Sequence, residues 1–278
     1  MSSAVENAVA HIWENYAEPL SLSEIARSAI LSRFHFSRVF RDATGVSPGR
    51  FLSAVRIYQA KRLLVSTSLS VTEISLAVGY NSLGSFTNRF TESVGASPTQ
   101  FRRLWDEGIG AAAHSVPESS SPFGTVAGRV EVPSDYGAAR VYVAAFDTPI
   151  VQRQPSSWVI ANTEPGGQAS YRLANVPAGE WFIRAVTVAD SVDPEPWTRR
   201  SLLVGGKGPL TVTFGAVRNC DICLHVRRLA DLPILFAVPD LERRDTHHAF
   251  DAGAKPLPQT ADLGAGGTGM VLAMRGTA

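Results

Sequence analysis

Three sets of residues in this 278-residue chain have types and spacings that could do chemistry. The first is Arg33, Phe34, Ser37, Arg38 and Arg41. On a helix, Phe34, Ser37, Arg38 and Arg41 share one face, and Phe36, Val39 and Phe40 share the opposite, apolar one. Arginine presents a planar fork of donors that pairs with phosphate or another planar acceptor. Residues 27–62 hold eight basic side chains and a single acid, Asp42, the electrostatic footprint expected for a polyanion. The second set is Leu83, Gly84, Ser85, Thr87 and Asn88, which carries hydroxyl and amide groups but no charge. The third is Cys220 and Cys223 with His225, a spacing seen in metal and redox sites. Residues 220–228 read as a strand, on which Cys220 and Cys223 point to opposite faces. They could share a metal only if a turn breaks that strand. His247 and His248 lie in a polar stretch that reads as solvent-exposed loop. No nucleophile elbow, phosphate loop or zinc-protease motif is present, so the expectation is a non-enzyme with no cofactor and no metal.

The elements that position the first two sets come as a repeat. Ser21, Glu24 and Ile25 recur as Ser70, Glu73 and Ile74; Phe36, Phe40, Gly45, Ser47, Pro48 and Phe51 recur as Phe86, Phe90, Gly95, Ser97, Pro98 and Phe101. Ser21-x-x-Glu24 and Ser70-x-x-Glu73 are capping boxes. Ser32 and Ser82 suit the start of each second helix, and Gly45 and Gly95 suit its end. Gly79 and Asn81 supply turn chemistry in the second copy. Pro48 and Pro98 stand where proline tolerates a helix start. Each copy therefore reads as a helix-turn-helix. Residues 47–66 between them read as one long helix that would hold the copies at a fixed separation.

Ile25–Ala26, the run from Phe36 to Arg41, Gly45-x-Ser47-Pro48, Arg56-x-x-x-Ala60 with Leu63–Leu64, Gly79–Tyr80, and Gly95-x-Ser97-Pro98 resemble the DNA-binding domain of the AraC/XylS family. The resemblance covers roughly residues 5–106. It implies a sequence-specific transcription regulator whose two modules enter successive major grooves of double-stranded DNA, with RNA polymerase a possible partner. It places the Arg33–Arg41 face in the groove. Arg38 is then the residue expected on guanine O6 and N7, with Phe34 on a thymine methyl, Ser37 on a base edge or phosphate, and Arg33 and Arg41 on phosphate. In the second copy, Asn88 stands where family members often carry arginine, and Arg89 occupies the next position. Asn88 can bond adenine, and Leu83, Ser85 and Thr87 flank it. The second head is expected to read fewer bases than the first. The alternative is a non-catalytic binding or scaffold protein whose helical half binds DNA weakly.

Composition separates the two halves. Residues 1–106 carry eleven Lys and Arg against eight Asp and Glu, and the remainder carries 15 against 17. Residues 107–122 read as a linker. From 123 to 239 the apolar period changes from 3.6 to 2, with strands expected at 124–132, 139–147, 157–162, 169–174, 180–188, 209–214 and 220–228. Leu210, Val212 and Phe214 alternate with threonines, so one face of their strand is expected to be buried. Tyr171-x-Leu173-x-x-Val176-Pro177-x-Gly179 resembles transthyretin-like or carboxypeptidase-regulatory-like β-sandwiches. The fold class is thus α+β multidomain: an all-α double helix-turn-helix joined to an all-β sandwich that could bind a small effector or a protein. Trp158, Trp181 and Trp197 either line a pocket there or pack. The tail from 240 to 278 reads as poorly ordered, with 233–238 and 270–274 apolar enough to dock. Two cysteines, no secretory signal and no membrane-length apolar run point to the cytoplasm.

Overall fold

The computed structural model describes residues 3–106, 122–188 and 202–235. Residues 107–121 of the expected linker, Trp197, His247–His248, and the expected tail with its apolar 270–274 stretch lie outside them.

Seven helices are described: α1 (Ser3–Asn15), α2 (Leu22–Ser28), α3 (Arg33–Thr44), α4 (Pro48–Ser66), α5 (Val71–Ala77), α6 (Leu83–Val94) and α7 (Pro98–Asp106). None of the described helices is long and apolar enough to cross a membrane. Both capping boxes form. The Ser21 and Ser70 amides donate to Glu24 and Glu73 at 2.7 and 2.8 Å, and the serine hydroxyls accept the glutamate amides at 3.2 Å. Hydrogen bonds from the Ser21 backbone to Glu24, and from the Ser70 side chain to Glu73, hold both carboxyls below the usual carboxylate range. Gly45 and Gly95 end α3 and α6 in the left-handed region, at φ 78° and 90°. Ser82 caps α6, but Ser32 makes no side-chain cap to α3, contrary to expectation. The Ser82 hydroxyl is oriented by a second bond to the Ser85 hydroxyl at 2.9 Å. At the matching position α3 carries His35, which offers no such hydroxyl.

The repeat persists in the core. Phe36, Phe40 and Phe51 pack tilted and edge-to-face with ring centroids 5.3 and 5.5 Å apart, and Phe86, Phe90 and Phe101 do the same at 5.7 Å throughout. The turns differ. Gly79 (φ 84°) and Ile30 (φ 57°) both take the left-handed conformation that connects the two helices of a module. A β-branched side chain carries about 1–2 kcal/mol of strain there, and Ile30, 90% exposed, makes no buried contact that offsets it. Ile30→Gly is expected to raise unfolding free energy by about 0.5–1 kcal/mol, read from the urea midpoint; a lower midpoint would contradict the strain.

Helix α4 is buried around most of its circumference, by Phe51, Leu52, Ala54, Val55, Ile57, Tyr58, Ala60, Lys61 and Leu64. A helix that is apolar all round has neighbours on every side. Helices α1, α2, α3, α5, α6 and α7 all touch it, so both modules are built on one 19-residue helix, about 28 Å long at 1.5 Å per residue.

The second half is β-rich. Its strands are β1 (Phe123–Glu131), β2 (Ala139–Phe146), β3 (Ser157–Thr163), β4 (Gln168–Pro177), β5 (Gly179–Val188), β6 (Leu203–Val212), β7 (Val217–Asn219), β8 (Ile222–Cys223) and β9 (His225–Val226). One sheet runs β4-β1-β7, with β8 also on β1; the other runs β3-β2-β5-β6-β9. In the first, β4 is antiparallel to β1, whereas β7 and β8 are parallel to it. Val126, Val130, Leu173 and Val176 from the first sheet and Val141, Val143, Ile183 and Ala185 from the second share one core.

Two strand expectations are corrected. The strand expected at 209–214 spans 203–212, and Phe214 lies beyond its end, 77% exposed. The single strand expected at 220–228 breaks into β8 and β9, because the chain leaves β1 to pair with β6. Cys220, Ile222 and Leu224 do face the core, but Val226 is exposed.

Strand β2 is buried on both faces, which explains its continuous apolar run. Its far face carries Tyr142, Ala144 and Phe146, covered by Val151 and Ile234, which bridge to each other. Their neighbours Ile150 and Leu235 pack into the core of the helical half. Adjacent residues of an extended chain face opposite ways, so these two short segments join the halves. Further ties run from Trp13 Nε1 to the Leu229 carbonyl at 2.9 Å, from the Arg153 amide to the Ser93 carbonyl at 2.9 Å, and from Arg227 to the Tyr58 hydroxyl at 3.1 Å. The part of the expected docking stretch 233–238 that is described does dock.

Candidate nucleic-acid interface

Helix α3 is fixed from behind. Phe36 and Phe40 are fully buried and Val39 packs on the same core, which leaves the other face outward. Phe34 is 76% exposed, Arg33, Arg38 and Arg41 are exposed, and Ser37 is half-buried. All five line one open groove with Leu22 and Asp42, so the structure brings the first set together. The Arg33 guanidinium lies 4.8 Å from the Phe34 ring centroid, a cation–π contact that orders both side chains. Among the described residues, none of the three arginines is held in an ion pair.

The second set is arranged alike but is chemically weaker. On α6, Phe86 and Phe90 are buried, Leu83 is 42% exposed, Ser85 and Asn88 are exposed and Thr87 is half-buried. The Ser85 hydroxyl is engaged by the Ser82 cap. Arg89 points away from this face. It pairs with Glu92 at 3.6 Å and lines a small cleft with Ser93, Ile150, Gln152 and Leu235 on the side of the β-rich half. Nothing lies within 4 Å of a Cβ built on Gly84, so no contact within the chain requires glycine there. Gly84→Ala is expected to stabilise the fold by about 0.4–1 kcal/mol, measured by thermal melting. A loss of DNA affinity in that stabilised variant would mark a close approach of backbone to duplex.

The basic footprint read from residues 27–62 narrows. Arg56 donates to the Tyr16 and Glu18 carbonyls, both at 2.7 Å, and burial draws its guanidinium below the usual value. Lys61 is 4% exposed and donates to the Leu235 carbonyl at 2.9 Å and the Ile234 carbonyl at 3.4 Å. Both cations hold the structure together and face no polyanion. A lysine among Ile57, Tyr58, Ala60 and Leu64 was the available signal for this.

The remaining candidates separate. Cys220 is buried and Cys223 exposed, and both are free; the Cys223 thiol lies 3.8 Å from a Glu131 carboxylate oxygen. No cluster of three His, Cys, Asp or Glu side chains that could hold a metal occurs among the described residues. Trp158 stacks on Tyr142 at 5.6 Å, on the far face of the second sheet. Trp181 packs towards the inter-sheet core and donates to the Pro177 carbonyl at 2.7 Å. The two indoles lie on opposite faces and line no common pocket.

A family model described as a helix-turn-helix domain matches residues 25–104. The chain is 34% identical over 101 residues to the HTH-type transcriptional activator AarP of Providencia stuartii, covering 36% of this chain and 75% of that protein. It is 32% identical over 98 residues to the lactose operon transcription activator of Staphylococcus xylosus, covering 35% of each. Among solved structures, the DNA-binding domain of AdpA in complex with a target DNA matches at 30% identity and a TM-score of 0.38, over 40% of this chain and 100% of that domain. The chain spans between 28% and 35% of the length of that operon activator and of two other curated helix-turn-helix regulators that it matches.

Proposed function

This chain belongs to the AraC-type helix-turn-helix family of DNA-binding transcription regulators, and from that premise we propose that it reads an asymmetric duplex site with two unequal heads on the single helix α4. The observation that carries this reading is the outward face of α3, where Arg33, Arg38 and Arg41 stand without ion pairs among the described residues beside an exposed Phe34. Arg38 bonds guanine O6 and N7, Phe34 packs on a thymine methyl, Ser37 bonds a base edge, and Arg33 and Arg41 neutralise phosphates. Helix α6 enters the next groove, with Asn88 on adenine and Leu83, Ser85 and Thr87 contributing shape and position. Successive major grooves lie about 34 Å apart, a separation suited to one stiff helix. Residues 5–106 form the DNA-binding domain. Residues 123–239 form a non-catalytic sandwich of the transthyretin-like or carboxypeptidase-regulatory-like kind that answers to an effector or a protein, and RNA polymerase is the partner on DNA.

Selection of binding sites from random duplexes by the full chain tests this. The expected result is an enriched site bound at least ~10³-fold more tightly than bulk DNA, with affinity falling steeply as salt rises. No enriched site would refute it and favour a scaffold with weak DNA binding, a reading to which the uncharged face of α6 gives some support.

A further inference from the structure

A cavity of about 320 Å³ lies between the end of α3 and the far face of the second sheet. Its size falls in the range of small-molecule sites. Ala43 and Thr44, in the last turn of the first reading helix, form one wall, and Tyr142, Phe146, Val186 and Val204 form the sheet side. Arg184 opens into it. The guanidinium donates to the Pro149 carbonyl at 2.9 Å and more loosely to the Ile183 and Lys207 carbonyls. No carboxylate among the described residues pairs with it. The acid in the cavity wall, Asp231, is engaged by His225 at 3.1 Å and by the Arg228 amide at 2.6 Å. Burial brings the Arg184 guanidinium down from 12.5 to about 10. A Cβ at Gly206 would sit 2.5 Å from the Ile183 carbonyl and 2.6 Å from Arg184 Nη1, so the strand backbone and the guanidinium pack closely against that glycine. Tyr142, 7% exposed, contributes a hydroxyl to which no described residue hydrogen-bonds.

We propose that this cavity binds a small organic carboxylate with an aromatic or branched apolar body, held by Arg184 and Tyr142, and that its occupancy is transmitted to α3 through Ala43 and Thr44. A guanidinium bonded to carbonyls but to no described carboxylate, and a hydroxyl to which no described residue hydrogen-bonds, favour a carboxylate head, and Phe146, Val151, Val186 and Ile234 favour an apolar body. The transmission, but not the binding, rests on the reading of α3 as a DNA-reading helix. A Cβ at Gly45, next to Thr44, would lie 3.6 Å from Pro149, and Pro149 lines the same cavity as Ala43 and Thr44, so the sheet-side loop lies close to the end of that helix.

Calorimetric titration of the full chain with benzoate, phenylacetate and isovalerate, with benzamide as the uncharged counterpart, tests the site. At least one acid is expected to saturate one site with a dissociation constant below about 10 mM, and benzamide is expected not to. Arg184→Gln should weaken the acid at least about tenfold, and Tyr142→Phe about threefold, as losses of one charged and one neutral hydrogen bond. The site is overturned if no acid binds, if benzamide binds as well as benzoate, or if the variants bind as the parent does. Should Arg184→Gln fail to fold, unchanged affinity in Tyr142→Phe overturns it. Duplex affinity, measured with and without the bound acid, is expected to change at least about threefold. Acid binding with unchanged duplex affinity overturns the transmission. Failure to select any duplex refutes the DNA reading and leaves the calorimetric result standing.

Discussion

Arg38→Ala is expected to weaken binding to the selected duplex by about 1–3 kcal/mol, roughly five- to over a hundredfold, and to relax base preference at one position. The expectation follows from how α3 is held. Phe36 and Phe40 are fully buried and fix the helix from the inside, so truncating an exposed arginine on the other face leaves the fold within about 0.5 kcal/mol of the parent. The Arg38 guanidinium is engaged by no described carboxylate; binding DNA breaks no ion pair within the described structure, and the whole contact counts towards the complex. Arg33→Ala and Arg41→Ala should behave differently. As phosphate contacts they weaken all sequences alike, and each lowers the slope of affinity against salt by about one. Asn88→Ala on α6 is expected to cost less than Arg38→Ala, because a neutral amide replaces a charge-assisted fork. The comparison is made by titrating selected and scrambled duplexes at several salt concentrations. Equal binding of both duplexes by Arg38→Ala and the parent would remove Arg38 from base readout.

The helical half was legible because its signals are local. A capping box joins residues three apart, a left-handed glycine ends its own helix, and the phenylalanine spacing is repeated within fifty residues. Ile30 hid one of the two turns, since a β-branched residue does not announce a left-handed conformation. The β-rich half was legible as strands wherever apolar and polar residues alternate, as in β4 with Tyr171, Leu173 and Val176 in the core. Which segments cover which face was not. Val151 and Ile234 lie on the sheet while Ile150 and Leu235 turn to the helices, a pairing set by tertiary contact between distant segments. The same holds for the cations. Arg38 and Lys61 look alike in a charge count, yet one faces out and the other reaches carbonyls 173 and 174 positions away. The cavity beside Arg184 was illegible for the same reason, because its walls come from α3, β2, β5, β6 and the 225–234 segment.

Lys61→Met should cost about 2–6 kcal/mol of stability, at about 1–3 for each of the two buried carbonyls left without a donor. Methionine keeps the length and apolar character of the stem, so the packing around α4 changes little and the loss comes from the ammonium. That group is buried at the junction of the halves, bonded to the Ile234 and Leu235 carbonyls and 5.6 Å from the Phe101 ring centroid. Arg62→Met, one position on and only half-buried, serves as the control and is expected to stay within about 0.5 kcal/mol. The location of the loss matters more than its size. The modules carry their own phenylalanine cores, so amide exchange in α5 and α6 should stay slow. Exchange in 227–235 and in β9 should accelerate, because the Ile234–Leu235 segment loses its hydrogen-bonded anchor on α4, whereas the Val151 segment keeps Ile150 in the helical core and the Arg153–Ser93 bond. A variant as stable as the parent, or one whose faster exchange spreads evenly through both modules, would show that Lys61 does not fasten the β-rich half to the helix that spaces the reading heads. With local release, the duplex affinity of Lys61→Met reports directly on whether that fastening tunes how α3 and α6 are presented to DNA.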